Sequence, residues 1–217
     1  MPHKAVIFDL DGTLLDTLED LADSFNFALN RFGFAVHPID AYKHFVGDGA
    51  DTAVTRALPE RARSEQNIKN VLNVFNMHYD KNYNVKTRPY PGILELLDIL
   101  KSRGLKLIVL SNKPHDFTVS CVAEYFPGMF DAVRGVDLQF PKKPHPAAAN
   151  YIIGSLKIEA AETLYIGDTA TDMETAEKAG FESIGVTWGF RDETELRAAG
   201  AKHIVNNSVH ILKYLQT

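Results

Sequence analysis

A single cysteine, Cys121, and a single tryptophan, Trp188, are spread over 217 residues. One thiol cannot close an internal disulfide, which excludes a disulfide scaffold and points to a reducing compartment. Val119 and Val122 beside it mark Cys121 as a small core residue rather than a nucleophile. No apolar run approaches the length of a membrane span, and the first expected strand, beginning by Ala5, leaves no room for a signal segment. A cytoplasmic protein with no membrane partner is therefore expected. A basic block is missing too: 23 basic against 28 acidic residues give a net charge of −5, so no nucleic-acid partner is indicated and any anion site must be local. Internal repeats and low-complexity segments are absent from the sequence.

What is present is organised around Ala5 to Thr17, AVIFDLDGTLLDT. Ala5-Val6-Ile7-Phe8 is wholly apolar with two β-branched residues, the pattern of a strand buried on both faces of a parallel sheet. Asp9 and Asp11 follow at its carboxyl end, and Gly12 lets the chain turn away. Like charges about 4 Å apart at an effective dielectric of about 20 cost on the order of 4 kcal/mol. Such a pair either shares a proton or attracts a cation, and a hard dication with oxygen ligands, Mg²⁺, fits best. A calcium loop needs a further Asp or Asn before its glycine and a closing glutamate, and the sequence has neither.

Thr17-Leu18-Glu19-Asp20 resembles a capping box, opening a helix whose apolar positions Leu18, Leu21, Phe25, Ala28, Leu29 and Phe32 recur at helical spacing until Gly33. Pro38 is expected to open a second short helix, interrupted by the turn at Gly47-Asp48-Gly49. Further helices are expected over Ala50 to Leu58 and through Ile68, Val71, Leu72, Phe75 and Tyr79. No second strand intervenes before Pro89, so residues 16–84 read as a helical insertion in an α/β core made of 1–15 and 85–217.

Beyond Pro89 helices and strands alternate. A helix runs from Pro91-Gly92 to Gly104, and a strand over Leu105–Leu110 ends at Ser111-Asn112-Lys113. A helix around Phe117 to Tyr125, a strand near Phe130 to Val133 and a helix from Pro146 follow. Leu164-Tyr165-Ile166 is a buried strand ending in Gly167-Asp168. Thr171-Asp172-Met173-Glu174 is expected to cap a helix that Gly180 terminates. Strands at Ser183–Val186 and His203–Val205, and a last helix capped by Ser208, complete a doubly wound, Rossmann-like, mostly parallel sheet.

Three of these strands end in polar residues: Asp9 and Asp11, Ser111 and Asn112, and Asp168. In a parallel sheet those ends share one edge, so residues far apart in sequence converge there. Lys143, in PKKPHP, can reach the same place, and Asp172 follows Asp168 closely. Each residue alone has a structural explanation: Ser111-Asn112 as a helix cap, Lys143 as a solvated charge, Asp172 as an acid in a helix's first turn. Their joint placement at strand ends favours a phosphoryl group held by Mg²⁺, a cation and hydrogen-bond donors. His115 and His145, each beside proline, read as loop or helix-start residues, and Trp188 and Phe190 as packing.

DLDGTLLDT, LSN, the lysine-proline of KKPHP and GDTATD resemble, in order and in strand context, the four motifs of the haloacid dehalogenase superfamily, over nearly the whole chain. The helical block resembles that superfamily's small helical cap, and VGDG, GDTATDMETAEKAG and KKPHP are similar to its phosphoglycolate phosphatases. The resemblance implies a Mg²⁺-dependent phosphomonoester hydrolase acting on a small phosphorylated metabolite, 2-phosphoglycolate foremost. Asp9 would attack phosphorus to form an aspartyl-phosphate, and Asp11 would protonate the leaving alkoxide and then activate water. Mg²⁺ would be held by Asp9, the Asp11 backbone carbonyl and Asp168, with Asp172 behind them or bound through water. Ser111, the Asn112 backbone and Lys143 would hold the phosphoryl oxygens. Gly47, Asp48 and Gly49 would carry the cap's contact with substrate, although a carboxylate at 48 opposes an anionic substrate unless it points away or pairs with a cation.

Pyrophosphatases and sugar-phosphate phosphatases of the same branch share these motifs. A phosphosugar mutase on the same scaffold would return the phosphoryl group to sugar instead of water. A non-enzymatic phospho-receiver also uses strand-end aspartates, a hydroxyl residue and a lysine, but has no use for a large helical insertion. The sequence is compatible with a monomer or a homodimer.

Overall fold

The side chains of Ala5-Val6-Ile7-Phe8 are buried on both faces of strand β1, as the apolar run predicts. In the computed structural model, which describes residues 2–215, β1 (Ala5–Phe8) is followed by β2 (Leu15–Asp16), α1 (Leu18–Arg31), α2 (Tyr42–Phe45), α3 (Ala50–Ala57) and α4 (Glu65–Asn82). Next come β3 (Arg88–Pro89), α5 (Ile93–Ser102), β4 (Lys106–Pro114), α6 (His115–Tyr125), β5 (Ala132–Val136) and α7 (Ala147–Ser155). The chain finishes with β6 (Thr163–Gly167), α8 (Ala170–Ala179), β7 (Glu182–Val186), α9 (Glu193–Ala198), β8 (His203–Val205) and a 3₁₀ segment, Ser208–Lys213.

Six strands form one sheet in the order β5-β4-β1-β6-β7-β8, and their pairings are parallel. The fold is α/β and Rossmann-like. From β1 the chain builds outward through β4 and β5 on one side, then through β6, β7 and β8 on the other. The strand order therefore reverses about β1, with Phe8 registered beside Val109 and Ile166. In open α/β sheets the carboxyl ends at such a reversal are where ligands bind.

One face of the sheet puts Ala5, Ile7, Ile108, Leu110 and Tyr165 against Ala148, Ala149 and Ile152 of α7 and Ala176 of α8. The alternate residues Val6, Phe8, Leu107, Val109, Leu164 and Ile166 are buried as well. Each large apolar side chain so buried contributes about 1.5–3 kcal/mol, which fixes β1 and hence where its polar extension begins.

The chain divides into two compact units, residues 1–15 with 89–217, and residues 16–88. Within the second, Phe25 of α1 stacks on Tyr42 of α2 at 5.6 Å and on Phe75 of α4 at 3.9 Å. Among the described residues no helix is long and apolar enough to cross a membrane.

Five local expectations are corrected. A two-residue strand, β2 (Leu15–Asp16), stands before Pro89, where the sequence predicts no second strand. β4 does not stop before Ser111 but continues to Pro114, with a register shift between Leu110 and Pro114 as it pairs with β5; Ser111, Asn112 and Lys113 are thus buried strand residues. Thr17 makes no capping bond, because Asp20 is taken instead by the backbone N–H groups of Lys86 and Thr87 and the Thr87 hydroxyl. The cap of α8 is Thr169, two residues before the expected Thr171, and Asp172 closes its capping box. The last segment is a 3₁₀ helix capped by Asn207, while Ser208 donates to Pro91 O.

Candidate active site

The β1 extension is built to hold carboxylates at a fixed place. Asp9 N donates to Ile166 O at 2.9 Å, continuing the sheet one residue beyond the strand, and the N–H groups of Leu14 and Leu15 both donate to Leu10 O at 3.0 Å. Gly12 adopts φ +88°, and a Cβ there would overlap the Asp168 carboxylate. A side chain at 12 is thus excluded by backbone conformation and by space.

Asp9, Asp168 and Asp172 are all buried, and each offers an oxygen within 4.8 Å of the others. Lys143 reaches them from the loop before α7, with Nζ 2.9 Å from Asp9 Oδ1 and 2.7 Å from Asp172 Oδ1. Burial would lower its pKa, but the charges of Asp172 and then Asp9 outweigh burial and hold it well above the usual lysine value. Asp9 is pushed up to about 7, by burial first and the charge of Asp172 second, against the opposing pull of Lys143. Asp168 is raised well above the ordinary carboxylate value, by burial and then by Asp9 and Asp172.

The three carboxylates differ in their partners. Asp172 accepts from Thr169 N and Thr169 Oγ1 at Oδ2 (3.1 and 2.7 Å), and from Tyr165 OH and Lys143 Nζ at Oδ1 (3.2 and 2.7 Å). Four donors fill the acceptor capacity of one carboxylate. Asp168 accepts only neutral donors, Thr13 Oγ1 at 2.9 Å and Phe190 N at 2.8 Å, and no cationic side chain pairs with it among the described residues. A buried carboxylate beside a second one, with no cation of its own, fits a hard dication such as Mg²⁺.

Gly189 packs against the same carboxylate: a Cβ there would overlap Gly12 O and the Asp168 side chain. Gly189→Ala is expected to destabilise by about 1–3 kcal/mol through overpacking and to displace Asp168. Thermal unfolding and activity, measured together, should both fall.

Asn112 does something its position alone did not suggest. Its amide donates to Lys143 O at 3.2 Å and accepts from Lys143 N at 2.9 Å, so the two bonds clip the lysine's loop onto β4. Ser111 is buried beside it, its Oγ accepting from Lys113 N at 3.2 Å. Asp11 has a cation of its own: both its oxygens accept from Lys113 Nζ at 3.0 Å. Sequence reading missed Lys113 as a site residue. The available signal was a lysine in the polar end of an otherwise apolar strand.

Gly47, Asp48 and Gly49 belong to the unit formed by residues 16–88, between α2 and α3, where both glycines have positive φ. Asp48 pairs with Arg56 at 2.5 Å, and Arg56 also donates to Phe45 O at 3.1 Å; the cation needed to offset that carboxylate is present. Cys121 is buried, and burial pushes its thiol up to about 11, as suits a core residue. His115 and His145 stand at helix starts, their Nδ1 atoms bonded to Gly135 N and Ala147 N. Trp188 packs near Tyr90 and donates to Thr13 O.

A parallel sheet whose reversal point gathers buried carboxylates and two lysines defines a class, and sequence comparison agrees with it: residues 6–186 match the haloacid dehalogenase-like hydrolases, and the chain belongs to that family. It is a phosphatase of that family, acting on small phosphorylated substrates. Among its relatives, the phosphoglycolate phosphatase of Haemophilus influenzae is 31% identical over 219 residues, 98% of each chain. That of Psychrobacter arcticus is 32% identical over 223 residues, 99% of this chain and 96% of its own. A solved structure from Lactobacillus delbrueckii subsp. bulgaricus, a candidate phosphoglycolate phosphatase, superimposes with a TM-score of 0.95 at 34% identity over the whole of both chains.

Proposed function

We propose that the protein is a Mg²⁺-dependent phosphomonoester hydrolase that works through an aspartyl-phosphate on Asp9, with 2-phosphoglycolate as its foremost substrate. The observation that carries this reading is the trio of buried carboxylates around Lys143 at the end of β1, one of which, Asp168, has no cationic partner among the described residues. The relatives' phosphoglycolate phosphatase activity and their full-length coverage support the substrate.

Asp9 and Asp168 would hold the metal with the Asp11 backbone carbonyl. Asp172, its oxygens engaged by four donors, anchors Lys143. When bound, Mg²⁺ supplies charge that offsets the clustered carboxylates and the phosphoryl oxygens. Lys143, held by Asp172 and clipped by Asn112, screens Asp9 and receives phosphoryl oxygen, with Ser111 and the Asn112 backbone as further donors. Asp9 attacks phosphorus, Asp11 gives a proton to the departing alkoxide oxygen, and the same carboxylate then takes a proton from the water that hydrolyses the acyl phosphate. Enzymes accelerate phosphate-monoester hydrolysis by up to about 10²¹-fold, and charge organised in advance is the main source available here. Residues 16–88 would serve as the cap that excludes water and selects substrate.

The test is phosphate release from a panel of small phosphorylated metabolites, with Mg²⁺ and after chelation. Activity should vanish on chelation and return with Mg²⁺, and 2-phosphoglycolate should give the highest kcat/KM. Undiminished turnover in the chelated protein would exclude the metal reading. A higher kcat/KM for a sugar phosphate or for pyrophosphate would reassign the substrate.

A further inference from the structure

Lys113 is a buried ammonium, its side chain 4% exposed, paired with an Asp11 side chain that is 17% exposed. Its backbone is enclosed as well as its head. Lys113 N donates to Ser111 Oγ at 3.2 Å, and Lys113 O accepts from Thr118 Oγ1 of α6 at 3.2 Å. At Gly135 of β5 a Cβ would overlap Lys113 O. The strand and its neighbours thus deliver one ammonium to a defined point, where it meets both Asp11 oxygens at equal distance.

A buried ion pair is weak evidence for stability, because desolvating two charges offsets their attraction. Its position suggests another use. Asp11 stands two residues from Asp9, and the Asp11 charge is among those that raise the pKa of Asp9. Left alone, a partly exposed carboxylate with a like charge nearby is driven toward solvent. A counter-charge holds it in place, and does so through both oxygens, which fixes the plane of the carboxylate as well as its location.

We propose that Lys113 is a positioning residue for the phosphatase reaction, holding the Asp11 carboxylate in the single orientation from which it exchanges protons with the leaving group and with water. The inference rests on the role given to Asp11 above. It gives Lys113 no contact with substrate; it acts through Asp11. Small displacements of a catalytic group cost about 10²-fold in rate, so the pair is expected to govern kcat and to leave KM nearly untouched.

The experiment is a double-variant cycle in the full-length, Mg²⁺-loaded protein with D11N, K113M, K113R and D11N/K113M, assayed on 2-phosphoglycolate and on p-nitrophenyl phosphate. K113M should lower kcat on 2-phosphoglycolate about 10–100-fold, with KM changed less than about 3-fold. On p-nitrophenyl phosphate the first nitrophenolate should still be released in a burst, because nitrophenolate departs without a proton, while steady-state kcat falls with the water step. K113R, which keeps a charged donor fork for the carboxylate, should retain more kcat than K113M. In the D11N background, K113M should change kcat less than about 3-fold, since the group it positions is gone. Losses that multiply in the double variant, a change confined to KM, or an unchanged kcat in K113M would overturn the proposal. Should K113M fail to fold, K113Q takes its place in the same cycle. A D11N protein with wild-type kcat would instead refute the role of Asp11 itself, which separates the two failures.

Discussion

Asp9→Asn should lose phosphatase activity by on the order of 10⁴-fold or more, without losing the fold. The amide keeps the shape of the side chain but cannot attack phosphorus or carry the acyl phosphate. Stability is expected to move the other way. The Asp9 carboxyl is raised from 3.8 to about 7 in the folded protein, by burial first and by Asp172 second. A carboxyl raised in this way binds its proton more tightly folded than unfolded, so in the metal-free protein its ionisation destabilises the fold increasingly as pH rises from about 4 to about 7. A neutral amide removes that term and relieves repulsion of Asp168 and Asp172. Metal-free Asp9→Asn should therefore unfold at a temperature equal to or above wild type at pH 7, while its turnover is nearly abolished. An active variant, or one inactive only because it is unfolded, would contradict this.

Lys143→Met should damage both properties. Its ammonium is the partner of Asp9 and Asp172, at 2.9 and 2.7 Å, and removing one member of a buried pair costs about 3–5 kcal/mol. For a chain of this size that corresponds to a fall in Tm of roughly 6–20 °C. The sign follows from the direction of the shift. Although burial alone lowers it, the lysine's folded-state pKa ends well above 10.5, so its stabilisation is fully present below that value and is lost only as pH rises beyond it. At neutral pH the variant forfeits all of it. Neutralising the stranded partner should recover part of the loss: Lys143→Met with Asp172→Asn is expected to be more stable than Lys143→Met alone. Calorimetry of the two variants checks this, and activity should stay low in both because the phosphoryl oxygens have lost their cation.

The contrast between these variants shows what was legible in the sequence. Strand β1 and the polar ends of β1, β4 and β6 could be read directly, because an apolar run that stops at a carboxylate is a local signal and parallel pairing brings such ends together. Partnerships were harder. Asp172 reads locally as a first-turn acid, and its use as the anchor of Lys143 depends on a loop 29 residues away. The Lys113–Asp11 pair spans 102 residues, with nothing in either segment naming the other. Asn112 was read for its backbone, whereas its side chain clips the Lys143 loop. Thr17-Leu18-Glu19-Asp20 has the spacing of a capping box, yet Asp20 finds three better donors at residues 86 and 87. Long-range hydrogen bonds overrode local propensity at each of these places.

The central claim is that the Asp9 carboxylate takes the phosphoryl group with magnesium beside it. The most direct measurement mixes Mg²⁺-loaded Asp11→Asn protein with excess p-nitrophenyl phosphate, quenches in acid and locates the modified peptide by mass spectrometry. The account predicts a burst of one nitrophenolate per protein and a single phosphoryl group on Asp9, both lost when the metal is chelated. Phosphoryl transfer to any other residue, or a wild-type enzyme that turns over while this variant shows neither burst nor adduct, would contradict it.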